Sequence, residues 1–388
     1  MKKLARAAVA ALLSLGGLAT SAAAQVPDVP ARPASMPEAR RALAEGRTAD
    51  ALRMAEAVAR NAPRNREAAE LQIQILVRLE AVPRALSAYD RYAGAVGKPE
   101  AALLAPIALQ QLRVTADTAV DDPRLAIEAL ERLAGAGDPS GRSRLQQISI
   151  DRAGSTVAVL ADGALARLGD ASASARLSNL VSSEGIRDKS TLVEAIARSG
   201  SRSGAADLRV LLQDPEPHTR IAAMEALGRM GDRDSIPAIR ALLQDDYPPV
   251  RSRAVLVLAR LGDAGVSEAV ARMKESPVGD VRLEVLASDR TLSAADRRAA
   301  VRAILADPDP LTRVKAAEAI AVEDPEAAMA ALVRVTGEAD MSARREAARA
   351  LETLKPADLA VCRRLLADPS DWVRVYAAGA VLAAVAPK

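Results

Sequence analysis

Apolar residues along this chain recur at spacings of three, four and seven, which marks one buried face of a helix. Ala223, Ala226, Leu227 and Met230 form such a face, and the set returns 31 residues later as Ala254, Val257, Leu258 and Leu261. Upstream of these faces runs a second apolar ladder, Leu180, Leu211, Leu242, Met273, Ile304, Val335 and Leu365. Each unit is therefore predicted to be a first helix, a tight turn and a second helix. A unit this small cannot bury its apolar face alone, so successive hairpins must stack.

Polar columns share the period. Gly169, Gly200, Gly231 and Gly262 each close a helix, while Lys189, Arg220, Arg251, Arg282, Arg313 and Arg344 form a basic column that a 30-residue step extends to Arg374. Six residues before the basic column stand Asp214, Asp245, Asp307 and Asp368, with Glu338 and Ser276 as variants. A carboxylate in the turn can accept from the free N–H groups that open the second helix and pair with the adjacent arginine. These columns resemble the HEAT repeat, in the short bacterial form of phycobilisome-lyase-like proteins, whose Asp and Arg residues form a ladder between repeats. The resemblance covers residues from Asp170 to the C-terminus well and 139–169 less closely. It implies an all-α fold, a right-handed α-solenoid of stacked helical hairpins.

The N-terminal part uses another period. Gly46, Ala51 and Pro63 are spaced like the turn glycine, packing alanine and helix-ending proline of a tetratricopeptide repeat, and a shift of 34 brings Ala51 onto Ala85 and Ala55 onto Tyr89. The pattern is degenerate, since Gly46 falls on Glu80 and Pro63 on Gly97. Residues 37–117 are accordingly assigned to tetratricopeptide-like hairpins and 118–388 to the HEAT-like array. Residues 100–138 are helical by pattern, fit neither repeat, and join the two arrays without a flexible gap.

Lys2, Lys3 and Arg6 precede an uncharged run, residues 7–24, that ends in Ala22-Ala23-Ala24. That is the pattern of a secretory signal peptide, residues 1–24. A membrane anchor is the competing reading, but the apolar core is short, diluted by Ala and Gly, and followed by a Pro-rich linker, 25–36. Gln25 stands where a lipoprotein needs a cysteine, so the expected product is soluble, periplasmic or secreted, with no membrane span after cleavage. The chain has 53 Lys+Arg against 50 Asp+Glu, and three of the positive charges lie in the signal, which leaves the mature protein close to neutral. Without a basic block it is a poor binder of nucleic acid, and that partner class is excluded.

Half the residues are hydrophobic, yet there is no Phe and a single Trp, His and Cys. One cysteine permits no intrachain disulfide, and one histidine leaves little for metal or nucleophilic chemistry. His218 lies in the turn Pro215-Glu216-Pro217-His218, where other repeats carry Pro249, Asp280, Leu311, Ser342 and Trp372, and such variation describes an exposed turn. Cys362 shares a column with Leu208, Ile239, Val270, Val301 and Leu332, so it reads as a packing residue. Deoxyhypusine hydroxylase resembles the chain in architecture, but that family holds a di-iron centre through repeated His-Glu pairs and none occurs here. Phycobilin lyases act on intracellular pigment proteins, from which export separates this chain. No glycine-rich phosphate loop is present. The expectation is a non-enzyme with no catalytic residues, cofactor or metal.

Columns that vary between repeats on the second helices describe the candidate binding surface, because those helices line the concave side of such a solenoid. One reads Thr191, Ala222, Arg253, Glu284, Lys315, Glu346 and Tyr376; another reads Glu194, Glu225, Leu256, Ala287, Glu318, Arg349 and Gly379. This mixed-charge groove suits a polar protein segment better than a lipid. A row of arginines, Arg167, Arg198, Arg229 and Arg260, runs along the helix ends, where it either grips an acidic ligand or answers the helix dipole and Glu194 and Glu225 four residues earlier. Arg167 and Arg260 lack such a glutamate and are the stronger binding candidates. Trp372 and Tyr376, four apart, are either an exposed aromatic anchor or a cap on the last repeat. The expected function is an exported scaffold that binds a protein or peptide in the cell envelope on its concave face. The alternative is an envelope polymer, peptidoglycan or an acidic polysaccharide, held by the arginine row.

Overall fold

A computed structural model describes residues 34–183, 189–200, 202–273, 276, 279–288, 292–354 and 358–385. The expected signal peptide, residues 1–24, lies outside the described residues, as does most of the expected Pro-rich linker, 25–36. Among the described residues there are helices and no strand. The first helices are α1 (Met36–Ala44), α2 (Thr48–Asn61), α3 (Arg66–Arg78), α4 (Val82–Val96), α5 (Ala101–Thr118), α6 (Pro123–Gly135), α7 (Pro139–Asp151) and α8 (Thr156–Arg167). Next come α9 (Ala171–Val181), α10 (Ser190–Ser199), α11 (Arg202–Leu211), α12 (Pro217–Met230), α13 (Ile236–Ala241), α14 (Pro248–Leu261) and α15 (Ser267–Met273). The rest are α16 (Gly279–Ser288), α17 (Ala294–Ile304), α18 (Pro310–Ile320), α19 (Pro325–Val335), α20 (Met341–Leu354), α21 (Leu359–Leu365) and α22 (Asp371–Val385). No helix among the described residues is long and apolar enough to cross a membrane.

The hairpins follow from the columns. Gly169, Gly200, Gly231 and Gly262 all take the left-handed conformation, with φ of 85°, 64°, 69° and 85°, which ends each second helix at no Cβ cost. The apolar faces they close are covered along most of their length: Ala223, Ala226, Leu227, Ala254, Val257 and Leu258 expose nothing, and Met230 is half-buried. Small residues set the spacing between neighbouring second helices. A Cβ added to Gly163 of α8 would stand 2.8 Å from the Cβ of Ala195 on α10.

The Asp and basic columns form a ladder that is interrupted once, at Ser276. Lys189 pairs with Asp214 at 3.0 Å, Arg220 with Asp245 at 2.8 Å, Arg282 with Asp307 at 2.8 Å and Arg344 with Asp368 at 2.9 Å, and Arg313 pairs with Glu338. Each basic residue thus reaches the acid of the following repeat, while the arginines donate through Nη1 to carbonyls of their own turn, as Arg220 does to Asp214 and Pro215. The carboxylates also accept from the backbone two residues on, as Asp245 does from the Tyr247 amide at 2.9 Å. One rung differs. Arg251 donates to the carbonyls of Asp245 and Asp246, but the ladder position ahead of it holds Ser276.

The array does not stay open. α22 packs along α5 and touches α6, and Arg363 of α21 pairs with Asp90 of α4 at 2.8 Å. The second helices α6, α8, α10, α12, α14, α16, α18, α20 and α22 therefore run in sequence around a closed circuit. The concave side of the solenoid is therefore the inside of a ring. The reason lies in two helices with apolar residues on more than one side. α5 buries Leu103, Leu104, Ile107, Ala108 and Leu112, and α22 buries Val373, Val375, Ala377, Ala378, Ala380 and Val381. A helix apolar on several faces needs cover on each, and the two ends of the array supply it to one another.

Candidate functional site

The closure joins residues far apart in the chain through charge. Asp122 caps α6 by accepting from the Leu125 amide at 3.1 Å, and its other oxygen accepts from Trp372 Nε1 on α22 at 3.0 Å. Two turns further along α6, Arg132 donates to Glu128 at 2.6 Å and across the seam to Glu352 of α20 at 2.7 Å. Its guanidinium lies over the Tyr376 ring, 4.4 Å from the centroid, and Tyr376 stacks on Trp372 at 6.2 Å. From α10, Arg198 donates to Glu128 at 2.5 Å and Glu131 at 3.2 Å, and Arg167 of α8 pairs with Glu131. Glu128, Glu131 and Arg132 expose 5%, 4% and 6% of their side chains.

Buried charges persist only when paired and hydrogen-bonded. Burial opposes ionisation of Glu128, and the Arg132 and Arg198 guanidiniums outweigh it, holding its carboxyl at about 2. Burial likewise opposes charge on Arg132, and Glu352 and Glu128 overcome it, so its pKa lies above the ordinary arginine value. Glu131 goes the other way: burial raises it against the pull of Arg167 and Arg198. Tyr376 is pushed up to about 12 by burial and stays a phenol.

Above this cluster opens a cavity of about 600 Å³. Its walls are Arg124 and Arg132 of α6, Arg167 of α8, Glu194 and Arg198 of α10, Arg345, Glu346, Arg349, Glu352 and Thr353 of α20, and Trp372 and Tyr376 of α22. Six guanidiniums bring five N–H donors each, against about four acceptor sites on each of three carboxylates. The carboxylates of Glu128 and Glu131 that balance the arginines lie beneath the wall. With Glu318, which pairs with Arg349 at 2.9 Å, six carboxylates answer the six guanidiniums, so the surplus is of N–H donors and not of charge.

The structure brings four of the six predicted binding residues together here: Arg167, Arg198, Trp372 and Tyr376. Arg229 and Arg260 do not line the cavity. Arg167 and Arg260, expected to stand without carboxylate partners, are paired across helices instead, with Glu131 and Glu284. Only the i−4 position on the same helix was legible, and both partners come from a neighbour. Arg229 faces Glu225 at 3.8 Å and is largely exposed. Trp372 is half-buried and Tyr376 buried, so the pair is not an exposed anchor; α6 covers it.

Glu128, Glu131, Arg132 and Glu352 escaped the sequence reading. One signal was available, the run Glu128, Glu131, Arg132 on a helix whose flanking Ala129, Leu130 and Leu133 are apolar. His218 is exposed and meets Tyr247 edge-on at 6.1 Å. Cys362 is fully buried, and burial pushes its thiol up to about 11. No group of three or more His, Cys, Asp or Glu among the described residues is placed to hold a metal ion.

HEAT repeats match residues 174–259 and 207–288. No curated protein matches the sequence. Among solved structures, human deoxyhypusine hydroxylase in complex with glycerol is similar, with 21% identity over 65% of this chain and 98% of that chain and a TM-score of 0.36. So loose a superposition says nothing about the seam or its cavity. The matched segment runs from within α9 to the end of α16 and carries rungs of the Asp and Arg ladder; over it the helical hairpins of the α-solenoid are similar to HEAT repeats.

Proposed function

We propose that this chain is an exported, non-catalytic repeat scaffold that binds a protein or peptide partner of the cell envelope on the inner face of its ring. The carrying observation is the cavity at the closure, where five second helices present donors, acceptors and an aromatic pair to one space. Such a surface orients a polar ligand. The nucleophile that the sequence offers is a protonated, buried thiol, and its one histidine lies in an exposed turn, so both support a binding role over a catalytic one. The polymer reading needs a free basic edge, and three of the four row arginines are engaged by Glu131, Glu128 and Glu284.

Export rests on residues 1–24. The periplasmic product is expected to have the intact mass of a chain beginning at Gln25, and an unprocessed N-terminus in the cytoplasmic fraction would sink that part. The repeats belong, in this reading, to the short bacterial phycobilisome-lyase-like type, with the Asp and Arg ladder as support. Residues 37–117 are tetratricopeptide-like hairpins. Their support is the 34-residue spacing of two equivalent turns, in which the Arg47 amide donates to the Ala42 carbonyl and the Ala81 amide to the Leu76 carbonyl; the bond itself also closes the HEAT-like helices, as from the Asp232 amide to the Leu227 carbonyl. Binding is tested by affinity capture from a periplasmic extract with the mature chain as bait. One or more envelope proteins recovered reproducibly above background are expected; recovery of none overturns the proposal.

A further inference from the structure

We propose that the seam cavity takes an acidic peptide segment, which bridges the first and last hairpins of the ring. The inference rests on the scaffold reading and deepens it by placing the site and stating the ligand's chemistry. Arg124 on α6 and Arg345 on α20 face the cavity from opposite ends of the array. Their pairs, Arg124 with Glu194 at 2.7 Å and Arg345 with Glu346 at 3.0 Å, are partly solvated, with the arginines 47% and 35% exposed. Solvated pairs contribute little, so an incoming carboxylate replaces them at small cost. Arg132, Arg198 and Arg167 are tied into the buried cluster and form a fixed floor.

The mixture of groups selects a peptide. Guanidinium forks bind carboxylates in a bidentate manner, and acidic side chains offer those. Glu194 and Glu346 in the same wall accept from backbone N–H groups, which a peptide supplies. A phosphate-dense chain brings acceptors alone and would meet these carboxylates directly. Trp372, with Arg345 5.7 Å from its ring, adds a flat half-buried face for an apolar side chain next to the acids.

The chain carries its own reporter, because Trp372 is its single tryptophan and stands in the cavity wall. The mature protein is titrated with N-acetyl-hexaglutamate amide, following tryptophan emission and, independently, heat by calorimetry. A saturable change that weakens with added salt is expected, and hexalysine should produce none. The double variant Arg124→Glu/Arg345→Glu should bind at least about tenfold more weakly, since two charge-assisted contacts become repulsive; Arg229→Glu, outside the cavity, should bind like the parent. Circular dichroism and melting check each fold, and Arg345→Gln serves as the milder variant if the double charge reversal misfolds. Absence of saturable binding, or parental affinity in a folded double variant, overturns the proposal. So does binding of polygalacturonate without binding of hexaglutamate, which would assign the cavity to a polysaccharide. Envelope proteins still captured by the double variant would leave the scaffold reading standing and remove only this site.

Discussion

Gly46 and Glu80 fall in register at a 34-residue shift, and both adopt the left-handed conformation, with φ of 77° and 56°. Glu80 is the one non-glycine residue with positive φ among the described residues. Gly46→Ala is expected to cost about 1 kcal/mol, because open space around Gly46 leaves backbone strain as the penalty. Glu80→Gly should leave stability unchanged or raise it by up to about 1 kcal/mol, as relieved strain offsets the added freedom of the unfolded chain. Paired urea melts check both, and the opposite order would separate the two turns. The interrupted rung gives a second case. Ser276→Asp restores the carboxylate that the other rungs carry and should stabilise by about 0.5 to 1 kcal/mol through Arg251. In an Arg251→Ala background the gain should vanish. Asp245→Ala, by contrast, strands a mostly buried Arg220 and should cost about 1 to 3 kcal/mol.

At the level of the element, the ladder decides how the stack responds to acid. Asp245 is held below the ordinary carboxyl value by its hydrogen bonds to Arg220, and Asp263 by those to Arg240, a first-helix arginine that pairs with it at 2.6 Å. A depressed carboxyl contributes stability that is present above its unfolded value and lost as pH falls through the folded one. Urea melts should therefore show stability falling as the pH drops below about 4, with a smaller drop in Asp245→Asn, whose rung no longer titrates. Much of this level was legible in the sequence. Seven basic residues, five of them with an acid six positions earlier, recur every 30 or 31 residues, so their neighbours in space are their neighbours in the repeat. The Arg240–Asp263 and Arg209–Asp232 pairs obey the same period and were legible in principle, 23 residues apart in both cases.

The whole molecule is where repeat logic ends, since a period predicts contacts between adjacent units and says nothing of the first meeting the last. Arg132 and Glu352 are 220 residues apart, Asp122 and Trp372 250, and Asp90 and Arg363 273. Trp372 and Tyr376 were visible as oddities in their columns, but what they touch was not. Gly379 is a third oddity in that helix, and the closure explains it. A Cβ there would overlap the Glu352 carboxylate and come within 2.9 Å of Arg132 Nε. Both are ends of flexible side chains, yet neither is free to move, because Arg132 is buried between Glu128 and Glu352 and lies over Tyr376. Gly379→Ala must therefore break the Arg132–Glu352 pair or shift α22 outward, at a cost of about 1 to 3 kcal/mol. The readout specific to closure is shape. Small-angle scattering should show a larger radius of gyration for Gly379→Ala, while circular dichroism keeps its helical signal because the remaining hairpins stack as before. An unchanged radius with an unchanged melting temperature would mean that the packing of α22 on α5 holds the ring shut without the charge cluster. A larger radius would assign that cluster the role of latch.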